Sequence, residues 1–455
     1  MVQNFHRHLY IFYSFVFLLN VIHTFWSNEA LYSFIGVLGM VMIVLSFPRA
    51  GRVFKVLGII LLAAGAFFFF SGSMTVLDIP DLFAGNIGLL LLLSMLPWMN
   101  SAVKAGRYNK LLKDLLQARV HTLGQLYGRS EATMVSLAAF LNLSSATISQ
   151  DLLKEQLSKV NTGVRNSFVS MATLRGYSLA LLWSPLEILL ATSIFITGAN
   201  YLEVLPWMLL IALFGFLIDT FTGRMLFGKI ELPEKRTVSS TGTQGKLKGF
   251  ILALVLFLST VVFLANVVNF EFLFSVTIAI FPFALLWSLV LKRQKSFWKL
   301  GLPTWKHHTN HLDNFIVLLL SLSVLTETLN ASPYLELLQE PIIAYSDSPL
   351  VIMLLIQFGF LFMTLVGVHP LATMGIFGGV SGLLMEALPA VTLAVLLSST
   401  AIATVPSAPY GLIVTITSVN FQMNPYKIVW KNLPYTLLCG SIGVGVSLLT
   451  MLVYS

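Results

Sequence analysis

The stretch "TLVGVHPLATMGIFGG", Thr364 to Gly379, lies in one of the most apolar parts of the chain, yet its middle is built to break a helix. His369 is the one histidine far from any charged segment. Pro370 follows it, and Gly367, Gly375, Gly378 and Gly379 surround the pair. Proline removes a backbone donor and clashes with the preceding turn, and glycine weakens a helix interior. In hydrocarbon such a break persists only where the freed backbone groups line a cavity or meet a ligand. The stretch therefore reads as the turn of a hairpin dipping into a membrane.

Composition supports a membrane setting. The chain has 455 residues, is 57% hydrophobic and 10% charged, and has a mean hydropathy of +0.86. That excludes a soluble domain and reads as an all-α polytopic membrane protein. One cysteine, Cys439, allows no internal disulfide. The net charge of +8 reads as cytoplasmic loops, not as a nucleic-acid surface. Arg7 precedes an apolar run from Leu9 to Leu19. No small-residue cleavage pattern precedes "HTFWSNEA", so a retained first helix is expected.

Spans are expected near 9–26, 31–47, 56–71, 84–99, 169–198, 204–223, 249–266, 272–291 and 312–330, with further apolar runs near 349–366, 371–386, 388–421 and 432–454. Segments near 48–55, 100–130, 224–248 and 292–308 are rich in Lys and Arg. Those near 27–30, 72–83, 199–203, 267–271 and 331–348 carry only acids: Glu29, Asp78, Asp81, Glu203, Glu271, Glu336, Glu340 and Asp347. The positive-inside rule makes the basic set cytoplasmic, with the N-terminus inside and the C-terminus outside.

Basic residues flank 131–157 on both sides: Arg129 before, Lys154, Lys159 and Arg165 after. The chain then enters and leaves from one side, with arms of about ten residues, about half a bilayer. This is a re-entrant hairpin with its tip at Asn142 to Thr147, "NLSSAT"; an amphipathic helix on the cytoplasmic surface is the alternative. Residues 349–386 form a second hairpin, which charge alone does not distinguish from two spans. A repeat favours the hairpin. Pro185 and Pro409 lie 224 positions apart, and the same shift carries Ser145 onto His369. The expected organisation is an extra helix (1–30), a first repeat (31–223; hairpin 131–157, broken helix 169–198), a linker (224–248) and a second repeat (249–455; hairpin 349–386, broken helix 388–421). That gives about 11 transmembrane helices plus two re-entrant hairpins. An odd number of crossings inverts the second repeat.

Inverted repeats with hairpins and broken helices are a transporter pattern. Ser184-Pro185 reads as an N-cap followed by the first position of a half-helix, and Ser407-Ala408-Pro409 resembles it. The tips "NLSSAT" and "GVHPLAT", with the breaks "WSPLE" and "VPSAPYG", resemble the ion transporter superfamily. That superfamily includes the divalent anion–sodium symporters and citrate- or arsenite-type carriers. The resemblance covers nearly the whole chain after the first helix. It implies that tips and breaks bind substrate and cation, and that homodimers work by an elevator motion. The Ser-Asn-Thr signature of the symporters is replaced here by Ser144-Ser145-Ala146-Thr147 and Pro370-Leu371-Ala372-Thr373.

Four helix N-termini would converge near the midplane, which favours an anion. Asn142, Ser144, Ser145, Thr147, Ser184, His369, Thr373 and Ser407 are the candidate substrate-binding residues. Hydroxyls are also ordinary packing groups in membrane helices, and His369 reads equally as a helix cap. Glu187, two residues past Pro185, is the candidate ion-coupling residue. Its structural alternative is pairing with Arg175 or a tyrosine. Asp219 and Asp313 are expected near span ends, touching water. His307, His308 and His311 lie in a basic loop and read as solvated, not as a metal site.

The expected function is ion-coupled secondary transport of a small anionic organic solute across a bacterial plasma membrane by alternating access. The coupling ion is H+ or Na+, and no other cofactor is expected. A membrane-embedded enzyme or polymerase acting on lipid-linked sugars is the alternative. The longest outer loop, about 331–348, lacks the Arg and His such enzymes use. A channel fits the breaks but does not need inverted hairpins. No nucleotide-binding motif is present.

Overall fold

The computed structural model describes residues 8–116, 120–232, 243–334 and 348–454. Arg7, Glu336, Glu340, Asp347 and the middle of the 224–248 linker lie outside the described residues. Among those described there is no strand, only an isolated antiparallel bridge between Thr122 and Glu231.

The helices follow in order. α1 is Leu9–Phe25, α2 Glu29–Ser46, α3 Arg52–Ser71, α4 Ile79–Leu82, α5 Ile87–Ala105 and α6 Tyr108–Leu116. A helical hairpin follows: α7 Leu123–Leu141 and α8 Leu143–Gln156. α9 Thr162–Leu181 and α10 Ile188–Thr197 flank the first break, and α11 is Tyr201–Phe227. α12 Thr243–Asn266, α13 Phe272–Val290, α14 Gln294–Thr309 and α15 Asp313–Asn330 come next. The second hairpin is α16 Pro349–Val366, α17 Pro370–Gly379 and α18 Ser381–Ala387. α19 Ala390–Ala403 and α20 Leu412–Phe421 flank the second break, with a 3-10 turn Val405–Ser407 between them. α21 is Pro425–Tyr454.

Nine helical stretches among the described residues are long and apolar enough to cross a bilayer, or up to 11 if two bent pairs count as spans. One pair bends by 51° between α14 and α15, the other by 72° between α17 and α18. The chain is a polytopic membrane protein. Its outer helices turn apolar side chains outward: Ile59, Ile60 and Phe70 on α3, Leu213 and Phe221 on α11, Leu355 and Phe362 on α16. No water competes for those faces in lipid, so exposed leucine and phenylalanine carry no penalty there.

Caps explain where several helices start. Asn28, Thr122, Asn161 and Asn200 each accept a backbone N–H of the helix that follows. Small residues set the closest approaches. A Cβ at Gly36 would sit 1.9 Å from the Pro80 carbonyl oxygen, so α2 lies against the backbone of α4 only because residue 36 has none. Gly58 and Gly65 let α3 lie on Val317 and Val324 of α15.

Three local expectations need correction. The first hairpin arm begins at Leu123, not at 131, because Arg129, expected to precede the arm, is itself helical. The half-helices after the breaks begin three residues later than expected. Glu187, not Ser184, is the N-cap of α10, and Gly411 stands at the N-cap of α20. Asp219 and Asp313 do not face water: they are 2% and 6% exposed, paired with Arg175 and Arg49 respectively.

Candidate substrate site at the hairpin tips and helix breaks

The first tip turns on one residue. Asn142 has φ +47°, a left-handed value that asparagine tolerates better than most side chains. Its Oδ1 accepts from the Leu143 N–H at 2.7 Å and from the Tyr177 hydroxyl at 2.5 Å. Its carbonyl accepts from the Ser145 hydroxyl at 2.6 Å, so the Ser145 side chain closes the first turn of α8. Thr147 donates to the Ser144 carbonyl at 3.0 Å. Ser144 and Thr147 are half-buried, while Ser145 is buried.

The first break sits beside this tip. Ser184 Oγ donates to the Ala139 carbonyl of α7 at 2.8 Å and accepts from the Leu186 N–H at 3.3 Å. Glu187 Oε1 accepts from the Leu189 N–H at 3.3 Å, capping α10. Glu187 is 7% exposed and makes no ion pair with Arg175, whose guanidinium turns to Asp219.

The second break repeats the geometry with different groups. The Glu187 N–H donates to the Ser184 carbonyl at 3.1 Å, and the Gly411 N–H to the Ala408 carbonyl at 2.9 Å. Gly198 ends α10 with φ +65°, and Gln422 ends α20 with φ +49°. Each of these pairs is separated by 224 positions. Ser407 is turned away from the break, hydrogen-bonded to Thr436 of α21 at 2.7 Å.

The second tip uses Gly367 at φ +99°, where its missing side chain also makes room for the Tyr410 ring. His369 is the N-cap of α17: its Nδ1 accepts from the Leu371 N–H at 3.1 Å. Its ring packs near Phe54 and Phe315, with centroids 6.3 and 6.0 Å away. Thr373, 1% exposed in the first turn of α17, has a hydroxyl with no hydrogen-bond partner among the described residues.

These parts meet. Ser178 of α9 donates to the Ile402 carbonyl of α19 at 2.9 Å, 224 positions away, and Ser193 hydrogen-bonds Ser398 between α10 and α19. Thr364 donates to Thr404 at 3.2 Å, tying the second tip to the second break. Asn142, Ser145, Ser184 and Glu187 thus cluster around the first break. His369 faces the α3–α15 side, and Ser407 faces α21. A groove of about 380 Å³ between α7, α11 and α12 reaches the first break through Trp183.

One buried constellation escaped the sequence reading. Arg175 Nη1 donates to Asp219 Oδ1 at 2.6 Å, its Nε to Asn432 Oδ1 at 3.0 Å and its Nη2 to the Lys431 carbonyl at 2.8 Å. The Tyr127 hydroxyl donates to Asp219 Oδ2 at 2.6 Å, and Thr220 Oγ1 to Glu131 Oε2 at 2.7 Å. Arg175 in the middle of an apolar run was the available signal. Among the described residues no group of three or more His, Cys, Asp or Glu is arranged to hold a metal ion.

No protein-family model matches the chain, and no curated protein matches it by sequence. Solved structures that share its fold include the two that follow. The YdaH transporter of Alcanivorax borkumensis, described as having an unusual topology, aligns with a TM-score of 0.61 at 14% identity, over 87% of this chain and 96% of that one. MtrF of Neisseria gonorrhoeae, described within a class of antimetabolite efflux pumps, aligns with a TM-score of 0.58 at 13% identity, over 89% and 95%. The chain has the fold of these two membrane proteins. Identity this low carries the likeness no further than architecture.

Proposed function

We propose that this protein is an ion-coupled secondary transporter of a small organic anion, working by alternating access. The observation that carries it is the meeting of two broken helices and two hairpin tips within the bundle, joined at Ser178 and Ile402. Irregular backbone at this depth is sustained when it lines a solute path. The 224-residue spacing of breaks, caps and left-handed residues supports two repeats, 31–223 and 249–455, of opposite orientation. The names of the two fold neighbours support the same reading, as does the resemblance to the ion transporter superfamily.

In this reading the solute sits between the first tip and the breaks, against the N-termini of α8 and α10. Asn142, Ser144, Ser145, Thr147 and Ser184 bind it from one half; Thr373, His369 and Ser407 complete the site in other states of the cycle. Glu187 carries the coupling ion beside the solute, more readily a proton than sodium, because a single cap contact leaves its second oxygen for a proton. A homodimer in a bacterial plasma membrane, with the N-terminus cytoplasmic, belongs to the same proposal.

The test is reconstitution into proteoliposomes. Small organic anions are screened first for thermal stabilisation of the purified protein. Hits are then followed for movement under an imposed pH gradient, with and without sodium, in both orientations. Accumulation that follows the pH gradient and stops in Glu187→Gln, while solute exchange persists, is the expected result. Accumulation that continues in Glu187→Gln removes this residue from coupling. Failure of every anion to bind or move removes the transporter reading.

A further inference from the structure

We infer that the Glu131–Asp219 pair is a second proton-binding site, separate from Glu187, and that the proton it holds latches α7, α9, α11 and α21 together. The inference rests on the transporter reading for its purpose, but not for its chemistry.

The geometry assigns the proton. Asp219 is fully engaged: Oδ1 takes the Arg175 guanidinium and Oδ2 the Tyr127 hydroxyl. Glu131 is 0% exposed. Its Oε2 takes only the neutral Thr220 hydroxyl, and its Oε1 receives no hydrogen bond from any described residue. Asp219 and Thr220 are neighbours on α11, so the Thr220 contact holds Glu131 beside the Asp219–Arg175 pair. A carboxylate closed off from water needs donors or a cation at both oxygens, and a neutral carboxylic acid does not. Asp219 holds the guanidinium, so the proton belongs on Glu131, and the free Oε1 is where it can sit.

Charge balance points the same way. One guanidinium, one carboxylate and one carboxylic acid sum to zero. Removing the proton leaves two carboxylates beside one guanidinium, an excess negative charge in a site closed to water. The other charged and titratable groups around the pair do not replace it. Tyr127 already donates to Asp219. Tyr435 of α21 donates to the Arg175 carbonyl, and Cys439 is buried one turn beyond it. The Lys431 ammonium is bound to Ser167. Arg224 of α11 is exposed and packs over Gly128, and Arg129 lies about 200° around α7 from Glu131. On proton loss, Glu131 becomes a competitor for Arg175. That guanidinium is the link from α9 to α11 and, through Asn432 and the Lys431 carbonyl, to α21. The step is a simple transfer: when the helices part enough to admit water, water takes the proton from Oε1, and Arg175 is drawn from one carboxylate toward the other.

The test needs no solute. Purified protein in detergent is titrated with acid and base, and the infrared carbonyl band of protonated carboxyl groups is recorded. At neutral pH we expect one such group that is lost in Glu131→Gln and retained in Glu187→Gln. The amide oxygen of Gln still accepts from Thr220, so the fold should hold. If Glu131→Gln is not recovered as monodisperse protein, Thr220→Val replaces it: losing the donor should shift the same band. A wild-type spectrum without the band, a band unchanged in Glu131→Gln, or an unshifted band in Thr220→Val overturns the inference. Saturating sodium should leave the band in place. Its removal by sodium would overturn the proton assignment in favour of a metal cation. A band present in protein that transports nothing sinks the transporter reading alone. Coupled transport without the band sinks this inference alone.

Discussion

The two tip-and-break units share a path of the backbone and differ in chemistry. Around the first break lie Asn142, Tyr177, Glu187 and, two turns back on α9, Arg175. At the positions 224 residues on, Glu187 is matched by Gly411 and Arg175 by Ser399. Ser399 donates only to the Leu396 carbonyl of its own helix. Both units make the same i to i−3 backbone bond at the break and both end the following half-helix in the left-handed region. Backbone geometry therefore does not require the charges. Buried charges are costly unless paired, so their place beside the first break, where the matching positions of the second carry Gly411 and Ser399, marks that break as the one with a task beyond shape.

The contrast is broken most severely at its largest difference. Arg175→Met leaves Asp219 and Glu131 without the guanidinium, and a loss of about 3–5 kcal/mol is expected. It would read as a steep fall in recovered protein and thermal midpoint in detergent. Ser399→Ala, its counterpart, should cost about 1 kcal/mol or less. Equal costs at the two positions would erase the distinction between the halves.

Next in size is the turn. Asn142→Ala loses both a tolerated left-handed conformation and the bonds to Leu143 and Tyr177, for about 1–3 kcal/mol by thermal unfolding. Asn142→Gly should recover the conformational part only. If Gly matches Asn, the side-chain bonds contribute nothing.

Thr373→Val carries the smallest expected change. Its hydroxyl has no partner among the described residues, so an apolar replacement of the same shape should leave stability unchanged or slightly raised, by less than about 1 kcal/mol. Ser145→Val loses its bond to Asn142 and should lower stability by about 0.6 kcal/mol. Both should weaken solute binding, by roughly 1.5–3 kcal/mol for each bond to a charged ligand, measured by titration calorimetry. Unchanged binding in both would empty the tips of function.

The comparison is sharpened by topology, where no energy is involved. In a Cys439→Ser background, single cysteines at positions 154 and 159 should label from the cytoplasmic face, and those at 348 and 386 from outside. Ser348, Glu386, Lys154 and Lys159 are all exposed, so access decides the result. Labelling of all four from one face would end the inverted arrangement.

Much of this was legible in sequence because breaks in an apolar run have few causes. His369-Pro370 and Gly367 mark one turn, Pro185 and Pro409 mark two breaks, and Asn142 falls at the tip where equal charges on both flanks require it. The caps were misplaced by three residues. Proline announces that a helix stops, but where the next one starts depends on how residues 182–187 and 404–411 pack. The arm beginning at Leu123 was missed because Arg129, a charged residue flanking the apolar run, reads as loop although the helix runs through it. The Arg175 cluster joins residues 44 and 257 positions apart, a pairing that no local pattern encodes.

The hydrogen bond from Ser178 to Ile402 has a geometric meaning of its own. If the two halves trade conformations to face opposite sides of the membrane, residue 178 takes the role of 402 and 402 that of 178. The proximity of such partners maps onto itself, although the bond does not, because Ile402 has no side-chain donor to return it. It is the fixed point of the exchange, like the pin of a pair of scissors: everything at a distance from it must travel, and it need not. A tether placed there would hold the halves together without choosing between the two states, whereas one placed a few turns away would stop the motion in whichever state it found.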